Sequence, residues 1–398
     1  MPVLSRSLFL LAAAAAPLAT EFPAQAQTLK RSLVLSGGGA LGAYEAGVVA
    51  ALVRAANVGE GQPLPQYGAV TGASIGALNG YLVATAQWAK LRELWSSVSE
   101  QNAVRVKPQF AKIKNESSGV GNRVAQAIAL ATGVKKNVAG IYDGDHLQAW
   151  LDAYIDFSKP VVTPFVWAVT NLTRKLPEYF FVVPPGIDPA RRRIALAAVS
   201  LAVGRVVPIR EATPAILAQQ LRASASVPVG FDPVLLPGPD GALEQYCDGG
   251  VTANTPIAAA SALSNAVDVV LLSPPNEKDT YHDIIDVIGG TYGTMQRRIM
   301  YDALRTAALQ ALLFRSIKNL PTSALRAMGI ESEYDPAEIS ALAELLGDTN
   351  FFILRPRKAL PGTLLGFDDA DAIQQSYQLG ASDAAGGFAP LTYAMLDD

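Results

Sequence analysis

Apolar positions along the chain fall into short unbroken runs that alternate with longer runs of helical period. Leu33-Val34-Leu35 opens the series and predicts a strand over residues 31–36. Beyond three glycines, Val48, Val49, Leu52 and Val53 recur at three- and four-residue spacing, which predicts a helix over 40–56 with one buried face. A loop rich in Gly, Pro and Gln, 57–67, leads to a second strand ending at Gly72, whose helix runs towards Ala86. Trp88, Leu91, Leu94, Trp95 and Val98 then share one side of a helix over 88–99. Further on, the pattern predicts helix at 144–155, strand at 161–171, and a paired strand at 179–183 before a Pro184-Pro185-Gly186 turn. Residues 190–207 are apolar but too short and too Arg-flanked to span a membrane. Helix at 214–224, strands at 233–236 and 243–247, helix at 257–264 and a fully buried strand at 267–272 follow. The chain then reads as mostly helical to Leu346, with a last strand at 351–354 and a helix at 368–384.

Buried strands alternating with helices at this spacing require a parallel or mostly parallel sheet covered on both faces, an α/β fold. No repeat, low-complexity tract or clear linker divides residues 27–398. One domain is therefore expected, with a motif-bearing core over about 31–275 and a mostly helical extension over about 276–398. Residues 101–140 break the rhythm. They are irregular and basic (Arg105, Lys107, Lys112, Lys114, Arg123, Lys135, Lys136) and read as a solvated insertion, with a cap or membrane-facing excursion as the other reading.

Composition narrows the function classes. With 50% hydrophobic residues in 398, the chain has ample material for a large core. The net charge is −3, and no basic cluster interleaved with aromatics stands out, so no nucleic-acid partner is expected. The first 26 residues differ: Arg6 precedes an apolar stretch, 8–16, too short for a bilayer, and Ala24-Gln25-Ala26 has small residues where signal peptidase needs them. This reads as a cleaved secretory signal, with the mature chain starting near Gln27 in a periplasm or outside the cell; an uncleaved anchor is the alternative. Cys247 is the only cysteine, so no internal disulfide forms, and with two histidines it excludes a Cys- or His-rich zinc site. No metal and no cofactor is expected, and nothing in the pattern fixes an oligomeric state.

Two glycine-punctuated turns carry the candidate chemistry. Gly72-Ala73-Ser74-Ile75-Gly76 fits a nucleophile elbow, in which a serine sits at a sharp strand-to-helix turn and the flanking glycines avoid side-chain clashes. The helix starting there aims its positive end at the hydroxyl. The earlier turn, Gly37-Gly38-Gly39, has two readings. Gly37, Gly39 and Gly42 match the spacing of a dinucleotide-binding loop, with Glu60 near the distance of a ribose-binding acid. However, Glu60 lies in loop-like sequence, Val58-Gly59-Glu60-Gly61-Gln62, and a serine elbow one strand later favours the second reading, backbone N–H groups converging on an oxyanion.

A serine nucleophile needs a base. His146 precedes one helix and His282 lies at the start of another, so the chain order Ser74, Asp248, His282 keeps an ordinary triad open. Asp248 is the stronger candidate. It ends a strand and is followed by Gly249 and Gly250, which permit close backbone approach, although Asp-Gly is also a common turn pair. At an ordinary pKa of about 3.9 an aspartate is a poor base unless it contacts the hydroxyl directly and is desolvated. A direct Ser-Asp dyad suits the low histidine content. A non-catalytic lipid- or nucleotide-binding module with an inert Ser74 is the reading from another class. Cys247, beside the proposed base, is either a redox-sensitive thiol or a packed strand residue.

Four blocks in order resemble the patatin-like phospholipase family: Leu35-Ser36-Gly37-Gly38-Gly39-Ala40-Leu41-Gly42, the Ser74 elbow, Arg222-Ala223-Ser224-Ala225-Ser226-Val227-Pro228, and Asp248-Gly249-Gly250. The resemblance covers most of residues 31–275. It implies a three-layer α/β/α fold and a catalytic Ser74-Asp248 dyad with no histidine. It also implies an oxyanion hole at Gly37, Gly38 and Gly39, with Gly42, Gly72, Gly76, Gly249 and Gly250 supporting the motifs. The implied reaction is hydrolysis of lipid or phospholipid acyl esters, of phospholipase A or esterase type, through an acyl-enzyme. Leu41 departs from the family, which usually carries Arg or Lys there. Residues 292–320 mix Arg297, Arg298, Arg305, Arg315 and Lys318 with Ile299, Met300, Leu304, Leu309, Leu312, Leu313 and Phe314, a candidate surface for peripheral membrane contact; the other reading is a core helix with a solvated basic face.

Overall fold

The computed structural model describes residues 30–98, 103–108, 110, 140–203, 206–275, 284–318, 320, 323, 343, 346–392 and 395. The signal segment 1–26, Lys112, Lys114, Arg123, Lys135, Lys136 and His282 lie outside the described residues.

The apolar runs form strands β1 (Arg31–Leu35), β2 (Tyr67–Ala73), β3 (Phe165–Asn171), β4 (Leu176–Val182), β5 (Ile209–Glu211), β6 (Val234–Pro237), β7 (Leu243–Cys247), β8 (Ala266–Val270), β9 (Asn350–Leu354) and β10 (Ala389–Pro390). They make one sheet in the order β10-β9-β8-β1-β2-β3-β4-β5, with β7 paired to β3 and β6 to β7. The run from β9 to β3 is parallel throughout. Antiparallel pairing is confined to the flanks, at β10-β9, β3-β4, β3-β7 and β6-β7. The sheet is therefore mixed and mostly parallel. All seven residues of β3 are buried, as a strand covered on both faces requires.

The helices are α1 (Ala43–Ala56), α2 (Ile75–Ala84), α3 (Trp88–Ser97), α4 (Gly144–Tyr154), α5 (Pro189–Val203), α6 (Leu217–Ser224), α7 (Ile257–Ser261), α8 (Ile284–Ile317) and α9 (Ala370–Asp383). Period-2 alternation along the strands sorts them into two layers. Leu33, Leu35, Phe165, Trp167 and Val169 face one core with residues of α1 to α4, α6 and α9. Val34, Val267 and Val269 face α7 and α8, and Ala73, Val166 and Ala168 face α5 and α7. The result is three layers, α/β/α.

The C-terminal region is built into this sandwich. β9 extends the parallel sheet, and α9 lies so close to α1 that side chains at Gly47 or Gly380 would strike the backbone of Tyr377 or Tyr44. In α8, Tyr292, Gln296, Met300, Leu304, Ala307, Ala311 and Phe314 point inward at helical spacing. Met300, Leu304 and Phe314 thus belong to the interior, correcting their place in the candidate lipid surface; Met295, Leu309, Leu312 and Leu313 stay exposed.

At the sheet's N-terminal ends, Arg31 forms an ion pair with Asp268, and the Tyr67 hydroxyl donates to the same carboxylate at 2.9 Å. One charge buried among three strands is thereby paired and hydrogen-bonded. β5 and β10 lie outside the sequence expectation because three and two residues show no period. β4 starts earlier than expected, since the hairpin register pairs Leu176 with Asn171.

Candidate active site

The site lies just beyond the C-terminal ends of β2 and β7. β2 pairs with β3 up to Ala73 opposite Ala168, while β7 runs antiparallel to the end of β3 with Cys247 opposite Thr170. The residues that follow, Ser74 and Asp248, are therefore delivered to one place from positions far apart in sequence.

Ser74 bridges β2 and α2 with φ 54° and ψ −128°, a sparsely populated backbone state. Close packing holds it there: a Cβ on Gly72 would stand 2.9 Å from Ala77 N, and one on Gly76 would stand 2.7 Å from Ser36 O. The Ser74 N–H donates to Ser224 Oγ at 3.0 Å, and that hydroxyl donates onward to Ala168 O at 2.6 Å. Ser224 thus ties the elbow to β3. Ser224→Ala leaves a buried N–H without an acceptor, so a loss of about 1–3 kcal/mol is expected in denaturant unfolding, with a reduced kcat. Unchanged stability and turnover would contradict this role.

The Ser74 hydroxyl donates to Asp248 Oδ2 at 2.5 Å. Asp248 is itself fixed at every polar atom: its N–H donates to Ser226 O at 2.9 Å, Thr170 Oγ1 donates to its carbonyl at 2.8 Å, and the Gly250 N–H donates to Oδ1 at 2.6 Å. Gly249 and Gly250 form the tight turn after it. Asp248 is fully buried, and burial raises its pKa from 3.8 to about 6, against the opposing pull of the Ser74 hydroxyl, the Gly250 N–H and Tyr292. A carboxylate in this state still ionises at neutral pH but holds a proton far better than an exposed one. It can take the proton of the hydroxyl it touches.

The glycine loop lies against Ser74, since a Cβ on Gly37 would stand 3.0 Å from Ser74 Cβ. The N–H of Gly37, a candidate oxyanion donor in the sequence, donates instead to Asn254 O at 2.9 Å, and Asn254 Nδ2 donates back to Gly37 O at 3.3 Å. Among the described residues, no hydrogen bond takes up the N–H of Gly38 or Gly39. Gly39 has φ 55° and packs against the Leu364 carbonyl, which accepts the Ala40 N–H at 2.9 Å, so the C-terminal region braces the loop. Gly42 closes the turn; its carbonyl accepts from Asn79 Nδ2 at 3.1 Å, and Trp95 Nε1 donates to Asn79 Oδ1 at 2.9 Å. Leu41 packs on the main core, so this position carries no cation.

Glu60 accepts the N–H of Ala89 at the start of α3, at 3.0 Å, a capping role that takes it away from any ribose. His146 sits in the first turn of α4, its N–H held by Asp143. Burial and the Asp248 charge push the Cys247 thiol up to about 12, an inert packed residue. Sequence reasoning assigned no role to Ser224, Thr170, Asn254, Tyr292 or Gln296. Ser224 lies inside the Arg222-to-Pro228 block, and the four-residue spacing of Tyr292 and Gln296 places the two polar groups on one face of the helix.

A family model described as patatin-like phospholipase matches residues 33–261. Among solved structures, the crystal structure of VipD from Legionella pneumophila is similar over 94% of this chain and 74% of that one, at 12% identity and a TM-score of 0.30. No curated protein matches the chain.

Proposed function

From the premise that this chain belongs to the patatin-like phospholipase family, hydrolases of lipid acyl esters, we propose that it cleaves carboxylic esters through a Ser74-Asp248 dyad and an acyl-enzyme. The observation that carries this reading is the 2.5 Å hydrogen bond from the elbow serine to a fully buried carboxylate.

Ser74 Oγ attacks the ester carbonyl carbon as its proton passes to Asp248. The oxyanion accepts the N–H groups of Gly38 and Gly39, and the N-terminus of α2 favours the charge that develops at Oγ. Collapse breaks the bond to the leaving alcohol, which takes the proton from Asp248. Water then attacks the acyl-enzyme, Asp248 accepts its proton, the acyl–Oγ bond breaks, and Asp248 returns the proton to Ser74. The raised pKa suits Asp248 to both halves of this cycle.

A short-chain p-nitrophenyl ester and a panel of phospholipids, incubated with the purified protein, test the reading. Release of p-nitrophenol and of free fatty acid is expected, and the panel ranks phospholipid against neutral ester. Inactivity on every ester, with no labelling by a fluorophosphonate, would return the glycine loop to the ligand-binding alternative.

We also propose that α8 meets the lipid surface. Exposed Met295, Leu309, Leu312 and Leu313 share its outer side with exposed Arg298, a mixture suited to shallow insertion among anionic headgroups. Arg298→Glu combined with Leu312→Ser is expected to weaken co-sedimentation with anionic liposomes several-fold; unchanged co-sedimentation would contradict it. The apolar leader and cleavage-like residues of the first 26 positions support action after export, in a periplasm or outside the cell.

A further inference from the structure

Helix α8 lies beyond the family-matched residues 33–261, yet it brings two polar side chains to the dyad. Tyr292 and Gln296, one turn apart, are buried at 8% and 4% exposure. The Tyr292 phenol faces both Asp248, whose proton affinity it draws down, and Gln296, although its hydroxyl closes no hydrogen bond of good geometry with either. Gln296 Nε2 and Asn254 Oδ1 are buried without partners as well. Gln296 Nε2, Asn254 Oδ1 and Asp248 Oδ1 gather around Gly250. A Cβ there would stand 2.7 Å from Asn254 Oδ1 and 2.8 Å from Asp248 Oδ1, and it would collide with Gln296 Nε2. A donor and an acceptor thus flank the proposed base.

A buried polar group left unpaired is destabilising, and these groups are complementary. A single water placed among them would pair Gln296 Nε2, Asn254 Oδ1 and Asp248 together, since a buried water takes about three hydrogen bonds. We propose that Gln296 and Asn254 hold the deacylating water against Asp248, while Tyr292 steadies the carboxylate that receives its proton. The inference rests on the dyad reading above.

In this arrangement Gln296 donates to one lone pair of the water, and its two hydrogens point to Asn254 Oδ1 and Asp248. The second lone pair is left for the acyl carbonyl carbon. As that C–O bond forms, Asp248 takes a proton from the water. The tetrahedral species then expels Ser74 Oγ, which recovers the proton from Asp248, and the fatty acid leaves. Nothing in the first half-reaction needs this water, so acylation and deacylation should respond differently to its loss.

Pre-steady-state hydrolysis of a p-nitrophenyl ester by Gln296→Met separates the two. The expected result is a burst at close to the wild-type rate, followed by turnover slowed at least about ten-fold, with the Ser74 acyl adduct accumulating by intact mass. Burst and turnover falling together, or neither changing, would overturn the proposal. Tyr292→Phe supplies a second readout should Gln296→Met fail to fold: the acid limb of the pH–rate profile moves to higher pH, because a group that lowers the Asp248 pKa is gone. An unmoved limb would remove Tyr292 from the account. A Ser74→Ala protein that still gave a burst would sink the dyad reading itself, an outcome distinct from either result above.

Discussion

Ser74→Ala is expected to lower ester hydrolysis by about 10⁴-fold or more while the protein stays folded. The substitution removes the attacking atom and leaves the neighbouring machinery in place. Gly72, Gly76 and Ser224 still impose the elbow, whose N–H remains bonded to Ser224 Oγ. One structural consequence follows from the chemistry. Asp248 loses the hydroxyl that donates to its buried carboxylate, a charge-assisted bond of about 1.5–3 kcal/mol. That loss applies only while Asp248 is ionised, and it also lifts the variant's Asp248 pKa above the wild-type value of about 6, so the variant is less stable than wild type at pH 8 and the gap closes as pH falls towards about 6. Initial rates and urea unfolding at two pH values check both parts. Retention of a tenth or more of wild-type activity would contradict the assignment.

Asp248→Asn is expected to abolish turnover to a similar extent and to raise stability at alkaline pH. The sign follows from burial. The folded-state pKa of about 6 lies above the ordinary 3.8, so between those values the folded chain binds the proton more tightly than the unfolded one. Ionisation therefore opposes folding: the penalty is absent below about pH 4, grows through the window from 4 to 6, and is complete above it, at roughly 3 kcal/mol for a shift of about two units. Asparagine can still accept the Gly250 N–H through its oxygen and never bears the buried charge. The variant should melt above wild type at pH 8 by an amount on the order of 1–3 kcal/mol, with the difference closing by about pH 4. Wild-type turnover should itself show an acid limb with its midpoint near 6. A variant less stable than wild type at pH 8 would mean that the carboxylate is stabilised, not strained, by its surroundings.

What the sequence made legible and what it hid differ in physical kind. Strand β1, the glycine loop, β2, the elbow and α2 form one local series, and each is written in residues adjacent to it: unbroken apolar runs, glycines at turns, then helical spacing. The buried strand β8 and the sheet's parallel character follow from the same rhythm. Ser224 is another matter, because its bond to Ser74 joins residues 150 positions apart and depends on how α6 docks on β3. Gly37 likewise presented a free N–H in the sequence, and only the approach of Asn254 in the fold takes it up. Glu60 stood at a plausible distance for a ribose acid until its partner at the start of α3 was visible. In α8 the apolar positions were plain, but which of them face inward depends on the sheet beneath, so Met300 and Met295 ended on opposite sides. The spacing of Tyr292 and Gln296 puts them on one face of α8, but that this face meets the dyad was hidden by the same cause, since Gln296 is brought to Gly250, far away in the chain.

Covalent labelling of the protein with a fluorophosphonate across pH, read by intact mass and peptide mapping, tests the central claim most directly. The dyad account predicts a single adduct on Ser74 whose rate of formation rises with a midpoint near pH 6 and collapses in Asp248→Asn. An adduct on another residue, or Ser74 labelling that proceeds at the wild-type rate in Asp248→Asn, would contradict it.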